Sequence, residues 1–224
     1  MSTIPPPPET STVPVIPWED GARSTFDALF ETIKLLATAP GEAFRGMPVT
    51  GGIGRPLFFA IILGWISIAI GVFWNLLFQG MWFPFMESME DFAGMGAAFG
   101  FTVGWSLLMV VLAPLFVIIG VFIAAAVLHL MLLILGAAEG GFEATVRVVC
   151  YVHTAQLAGI IPFCGGIIVL VWTVVLYVTG FATAHRTSQG KALVAVLLPV
   201  VLCCVLGLVV SLTIGGLAAI AGSQ

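Results

Sequence analysis

Charged residues are scarce in this sequence: Lys, Arg, Asp and Glu make up 8% of its 224 residues, against about 25% in an ordinary soluble domain. Hydrophobic residues make up 60%, which is more apolar surface than a soluble core can hide. The imbalance excludes a soluble globular domain and indicates that the lipid bilayer is the solvent for most of the chain. The sequence therefore predicts an integral membrane protein.

Basic clusters are also missing. The chain has seven Lys and Arg residues, no run of them, and a net charge of −4, so nucleic acid is excluded as a partner. No basic residue precedes an early apolar stretch, and we therefore expect no secretory signal peptide.

Motifs for redox, metal and hydrolytic chemistry are absent. The four cysteines form no C-x-x-C, and the histidines form neither His-x-x-x-His nor Glu-x-x-His. The three histidines could in principle converge with Glu143 or Cys150 on one metal, but their spacing does not favour it. No nucleophile or carboxylate pair is in place either. We expect no enzyme activity, no cofactor and no metal site.

The sequence divides into three regions. Residues 1–22 contain Pro5–Pro8 and predict a flexible, proline-rich cytoplasmic tail. Residues 23–55 predict an interfacial segment whose core is a short amphipathic helix over 24–40, capped by Ser24 and ended by Pro40. A partner-binding role for this helix stays open as the alternative. Its apolar face is expected to contain Phe26, Leu29, Phe30, Ile33 and Leu36.

Residues 56–224 predict a membrane domain of five spans, because each apolar run is near the ~20 residues needed to cross. Prolines 114 and 199 are expected to bend the second and fifth spans. Whether 92–102 enters the membrane is left open. The fold class is therefore an all-α membrane protein, a five-transmembrane-helix bundle preceded by a short amphipathic interfacial helix. The predicted spans are 57–78, 103–136, 142–161, 165–184 and 191–220.

The basic residues predict the orientation. With five spans, every Lys and Arg lies in or beside the segments on one side, and none lies in the segments on the other. By the positive-inside rule the N-terminus is cytoplasmic and the C-terminus lies outside, in the cytoplasmic (inner) membrane if the source is bacterial. The basic residues are Arg23, Lys34, Arg45, Arg55, Arg147, Arg186 and Lys191.

The third predicted span is unusually polar. Glu143 and Arg147 are four residues apart, so they share a helix face and can pair, and Tyr151 continues that face. His153 and Gln156 lie deeper in the span. These residues predict either helix packing, with Arg147 extending to the interface, or a polar path for a proton or ligand.

The other two histidines, His129 and His185, lie towards the cytoplasmic ends of the second and fourth spans. We expect them to be structural residues at helix ends. Together with the residues of the third span they complete the candidate polar cluster. The glycine pattern G-x-x-x-G-x-x-x-G over 96–104 leads into the second span and permits close helix contact.

Several segments in this order resemble the Yip1-domain family of five-span membrane proteins, in the style of its bacterial members. The segments are PGEAFRGMP at 40–48, RPLFFAI at 55–61, HLMLLILGAAEGGFEATVRVVCY at 129–151, IIP at 160–162 and AHRTSQGKALVAVLLP at 184–199. The resemblance covers most of 25–220, and it implies a cytoplasmic N-terminus and no established catalytic activity.

In eukaryotes, members of that family act in vesicle trafficking and bind Rab-type GTPases and other family members. The D-L-Y-G-P signature of those members is absent here, which argues against a small GTPase as partner. We expect a non-enzymatic protein that organises the membrane or partner membrane proteins, with the bilayer and possible homo-oligomers or other membrane proteins as its contacts. The alternative is a transporter or lipid scramblase that uses a polar groove at the third span.

Overall fold

The computed structural model describes residues 15–86 and 92–221, and within those ranges every regular element is helical. A 3₁₀ turn at Pro17–Glu19 comes first, and a second 3₁₀ segment, His153–Ile160, follows α5 directly. The seven α-helices are α1 (Thr25–Thr38), α2 (Pro40–Arg45), α3 (Gly54–Met86), α4 (Phe92–Ile134), α5 (Gly141–Val152), α6 (Gly165–Ala184) and α7 (Gln189–Ala221).

Four of these helices are long and apolar enough to cross a membrane. They contain the stretches Gly54–Trp82, Ala98–Ile134, Gly165–Ala184 and Gln189–Ile214. Their outward apolar side chains remain uncovered by protein, as at Val111 (73% exposed) and Leu212 (67% exposed). In water such surfaces would be unfavourable, whereas in lipid they are the expected exterior. The protein is therefore a multi-pass membrane protein.

The predicted spans agree with these helices to different degrees. The fourth, 165–184, coincides with α6, whereas the first, second and fifth are each part of a longer or shifted helix. Helices α4 and α7 continue through Pro114 and Pro199.

The third predicted span, 142–161, is not one span-length helix. Helix α5 has 12 residues, and the chain then narrows into the 3₁₀ segment. Every residue from Ala144 to Val152 is buried, so this element lies inside the bundle. Four single helices, rather than five, meet the length and hydropathy expected of a span within the described ranges.

Helix α1 begins as its sequence predicts. Ser24 accepts a hydrogen bond from the backbone N–H of Asp27 at 3.2 Å, and the helix ends at Thr38, before Pro40. However, only part of the predicted apolar face of α1 is buried. Leu36 is fully buried, while Phe26 and Phe30 are 85% and 70% exposed. The buried line of this helix is instead Ala28, Thr32 and Leu36.

Residues 15–22, which the sequence assigns to the tail, pack against the bundle. Ile16 and Trp18 are buried, and the indole N–H of Trp18 donates to the Arg55 carbonyl at 2.7 Å. The ring of Trp18 also contacts Phe59 of α3 edge-on. Residues 1–14, the rest of the predicted tail, lie outside the described residues.

Helix α2 anchors the N-terminal region on α6. Phe44 of α2 is 1% exposed and lies against Gly180 of α6, where Val148 of α5 also meets the helix. A Cβ at residue 180 would approach Val148 Cγ1 to 2.6 Å, so only glycine allows these three helices to pack this closely. Gly180 therefore lets both α2 and α5 pack closely on α6.

Candidate functional site: a buried arginine cluster

Arg147 of α5 is the largest fully buried side chain in the described protein, at 1% exposure. Nη1 donates to both carboxylate oxygens of Glu19, at 2.9 and 2.8 Å. Nε and Nη2 each lie 3.2 Å from Glu143 Oε1, and Nη2 also donates to the Gly52 carbonyl. A guanidinium has five N–H donors, and five contacts to protein acceptors engage them.

Glu19 is brought to this cluster by the N-terminal 3₁₀ turn. Its side chain is 10% exposed, and besides Arg147 it accepts a hydrogen bond from the Tyr151 hydroxyl at 2.7 Å. Tyr151 is fully buried, and its ring contacts Phe59 at a centroid distance of 5.2 Å. The carboxylate is thus bound by a cation and a hydroxyl, as a buried charge requires.

Glu143 lies at the more open edge of the cluster. The predicted i, i+4 pair with Arg147 forms, and the Glu143 side chain is 33% exposed. Its Oε1 also accepts the backbone N–H of Gly52 at 2.7 Å. Glu143 therefore ties the loop before α3 to the first turn of α5.

The segment that carries Glu19 is held on its outer side by surface charges. Asp20 accepts hydrogen bonds from the Ala22 backbone N–H and from Arg23 Nε, at 3.1 and 3.0 Å. Both hydrogen bonds lower the pKa of the Asp20 carboxyl, and the one from the Ala22 backbone has the larger effect. Arg23 in turn pairs with Glu31 of α1. All of these groups are solvent-exposed, so they orient the segment that carries Glu19 more than they stabilise the fold.

A second polar cluster joins α4, α5 and the end of α6. Thr145 Oγ1 lies 2.8 Å from His129 Nδ1 and 3.0 Å from His185 Nε2. The Gly140 backbone N–H donates to His185 Nδ1 at 3.1 Å. Because Nδ1 accepts, the neutral ring carries its proton on Nε2 and donates it to Thr145. The pKa of His185 is lowered to about 4, mainly by burial and to a smaller extent by the nearby His129.

His153 and Gln156 belong to neither cluster. His153 Nδ1 lies 3.0 Å from the Val149 carbonyl of the preceding turn, so the ring is bound to its own helix. Gln156 is exposed. The candidate residues of the sequence thus separate into a set around Arg147, a set around Thr145, and these two residues.

The described residues contain no group of three or more His, Cys, Asp or Glu side chains arranged to hold a metal ion. The partners that the sequence failed to indicate are Glu19, Gly52 and Thr145. The available signal for Glu19 was Trp18, a large apolar residue beside an acid in an otherwise polar, proline-rich stretch.

The fold and the site define a class: an integral, multi-pass helical membrane protein whose interior holds a fully paired arginine. The family model of the Yip1 domain matches residues 33–211. The chain therefore belongs to the Yip1-domain family, which is not a known enzyme family. The resemblance to this family, though not to its bacterial members in particular, is confirmed. Arg147, Glu143 and Tyr151 lie inside the matched region, whereas Glu19 lies before it. No curated protein and no solved structure matches the chain significantly.

Proposed function

We propose that this protein is a non-enzymatic organiser of the membrane or of partner membrane proteins, as a bacterial-type member of its family. One observation carries the proposal: the buried guanidinium of Arg147 is fully hydrogen-bonded to other groups of the protein. Arg147 is 1% exposed and its five N–H donors meet protein acceptors. A residue bound in this way joins elements together and has no donor left for a solute.

A transporter or lipid scramblase is the second candidate, and the helix break at His153 is the observation that favours it. Transporter sites are commonly built where a membrane helix is interrupted. Here, however, the side chains beside the break are bound locally: His153 to the Val149 carbonyl, and Tyr151 to Glu19. The organising role therefore accounts for more of the polar contacts.

For the topology we propose five crossings, the third made jointly by α5 and the 3₁₀ segment. Near one end of α3, Gly52 bonds Glu143; near its other end, the rings of Phe78 and Phe163 lie 5.4 Å apart. At about 1.5 Å per α-helical and 2.0 Å per 3₁₀ residue, the 12 and eight residues extend about 34 Å. That length matches the ~30 Å hydrocarbon core.

The orientation we propose has the N-terminus in the cytoplasm, at the inner membrane of a bacterial cell. Basic residues gather at the end of the bundle where α3 begins and α6 ends. Arg55 bonds the Trp18 carbonyl there, and Arg45 and Arg186 line one cavity of about 410 Å³. Positive charge beside membrane helices is retained on the cytoplasmic side.

The surfaces we assign to contacts lie outside the polar interior. On α1, Phe26 and Phe30 are exposed on one side, which fits a helix lying in the membrane interface. On α4, a Cβ added at Gly96, Gly100 or Gly104 would meet no other atom within 4 Å. The helix is therefore open to close contact with a second copy or another membrane protein. The absence of the eukaryotic signature still argues against a small GTPase.

Reconstitution in liposomes tests the choice between the two candidates. Purified wild-type protein, His153→Leu and empty liposomes are compared for solute flux and for lipid scrambling. We expect wild type to match the empty liposomes, and Arg147→Ala to reduce the yield of folded protein. Flux or scrambling that wild type shows and His153→Leu loses, at equal reconstitution, would overturn the organising role.

A positive test uses cross-linking in native membranes followed by mass spectrometry of the cross-linked species. We expect a discrete homo-oligomer or a defined membrane-protein partner, reproducible at native expression levels. Gly100→Leu should weaken that species, while Gly207→Leu, on the exposed face of α7, serves as the matched control. A protein that is monomeric and free of partners in native membranes would contradict the proposal.

A further inference from the structure

A mainly apolar groove runs between α1, the 3₁₀ segment and α6. Its volume is about 450 Å³, within the ~300–1,000 Å³ typical of small-ligand sites. Ile33 and Ala37 line it from α1, Thr154 and Leu157 from the 3₁₀ segment, and Ile168 and Trp172 from α6. The groove is separate from the cluster around Arg147.

Two of the residues that line this groove each carry a buried polar atom without a hydrogen-bond partner. Thr154 is 5% exposed, and neither its Oγ1 nor Trp172 Nε1 has a hydrogen-bond partner in the described protein. Buried polar atoms are almost always satisfied, so each exception needs an explanation. By contrast, the indole N–H groups of Trp18 and Trp65 both donate to backbone carbonyls. Ser67 and Trp74 also carry unpaired atoms, but both are on α3, outside the lining of this groove.

We infer that this groove binds a membrane glycerolipid, with Thr154 and Trp172 donating hydrogen bonds to an ester carbonyl while the acyl chain fills the apolar wall. An ester carbonyl has two lone pairs and can accept from both donors. The ester carbonyl is the acceptor that lipid itself brings into a bilayer.

The surroundings of the groove are those of a lipid-facing surface. Ile167 and Val171, which flank Ile168 and Trp172 along α6, are 69% and 55% exposed, and Ile160 at the end of the 3₁₀ segment is 61% exposed. Trp172 is seven residues, or about 10 Å, from the Gly165 end of α6. Helical side chains lean towards the N-terminus, which directs the indole towards the ester region of that leaflet.

The inference requires only that the protein be in a membrane, so it is tested separately from the organising role. Full-length protein is reconstituted in dioleoylphosphatidylcholine vesicles with a small fraction of phosphatidylcholine carrying a photoreactive acyl chain. After illumination, labelled peptides from α1, the 3₁₀ segment and α6 are quantified by mass spectrometry. The variants are Thr154→Val, Trp172→Phe and both together. Matched controls are Thr213→Val on the exposed face of α7 and Trp65→Phe on α3.

We expect labelling of the groove peptides to fall about fivefold for each single variant, the factor expected for one hydrogen bond. The controls should label like wild type. Unlabelled diester phosphatidylcholine should displace the probe more effectively than its diether analogue, which lacks the carbonyl. The melting temperature of Thr154→Val in lipid-free detergent should not fall, because valine keeps the shape of threonine and the lost hydroxyl has no hydrogen-bond partner within the protein.

Two results would overturn the inference. Unchanged labelling together with a raised melting temperature would mean that both donors face only hydrocarbon, so that their removal simply relieves an unfavourable burial. A cross-link through the groove between two protein chains, at the expense of lipid labelling, would mean that a second copy is the occupant.

Discussion

Glu19 and Arg147 are 128 positions apart in the chain, yet Arg147 Nη1 donates to both Glu19 carboxylate oxygens at 2.9 and 2.8 Å. The pair joins a 3₁₀ turn before the first helix to the middle of α5. Both side chains are largely buried, at 10% and 1% exposure. Each charge is therefore kept inside the bundle by the other, and loss of either leaves its partner unpaired in an apolar environment.

Replacing Glu19 by Gln should destabilise the protein by about 3 kcal/mol, since breaking a buried pair typically costs 3–5 kcal/mol and Glu143 still contacts Arg147. In a chain of this size the melting temperature should fall by about 6–12 °C. Thermal unfolding in detergent measures the shift. The matched control is Glu31→Gln, whose pair with Arg23 is exposed; it should change stability by less than about 0.5 kcal/mol. Equal shifts for the two variants would show that the buried pair adds nothing.

Replacing Tyr151 by Phe should destabilise the protein by about 1–2 kcal/mol. The change removes the hydroxyl that donates to Glu19 at 2.7 Å, and a hydrogen bond to a charged group contributes about 1.5–3 kcal/mol. The ring contact with Phe59 is kept. Chemical unfolding measures the difference, with Tyr177→Phe as the comparison at the other tyrosine. Because the hydroxyl bonds the Glu19 carboxylate, the effects of Tyr151→Phe and Glu19→Gln should sum to less than full additivity in the double variant. Full additivity would show that the hydroxyl and the carboxylate act independently.

Stability should depend on the protonation of His185. The pKa of His185 is lowered in the folded protein to about 4, from about 6.5 in the unfolded chain. The unfolded state therefore binds more protons between these values, and stability is lost as pH falls from about 6.5 towards 4. Protonation also removes the acceptor for the Gly140 N–H. Melting temperatures between pH 7 and 5 should fall more for wild type than for His185→Asn, which does not titrate. Parallel curves would exclude His185 as the cause.

Cysteine labelling should place residues 139 and 164 on opposite sides of the membrane. In a background with Cys150, Cys203 and Cys204 replaced by Ala, an impermeant maleimide should label the exposed Cys164 in intact cells. With Cys164→Ser and Glu139→Cys instead, labelling should require permeabilised cells. If both positions label from the same side, residues 142–161 do not cross and the chain has four crossings.

The membrane helices could be predicted closely from composition because lipid imposes a simple rule of length and apolarity. Helix α6 begins and ends where the sequence indicates, and α1 is capped by Ser24 as predicted. The break at His153 could not be foreseen, because 142–161 has the length of an ordinary span and contains no proline that would mark a break. Its change to a 3₁₀ segment is visible only in the folded chain.

Local spacing predicted local contacts and failed for distant ones. The Glu143–Arg147 pair follows from a four-residue separation on a helix. The Glu19–Arg147 pair could not be predicted, because nothing in the order of residues relates position 19 to position 147. For the same reason His129 and His185 were assigned separately to helix ends, although Thr145 bonds both.

The long separation between Glu19 and Arg147 also sets an order in time. Glu19 leaves the ribosome 128 residues before Arg147, which at about 5–20 residues per second is a delay of about 6–25 s. During that interval the acid has no buried cation to bind, although the residues that Trp18 contacts, Thr32, Arg55 and Phe59, have already been synthesised. Formation of the Glu19–Arg147 pair is therefore a late step of biogenesis, because it requires α5 to be in place.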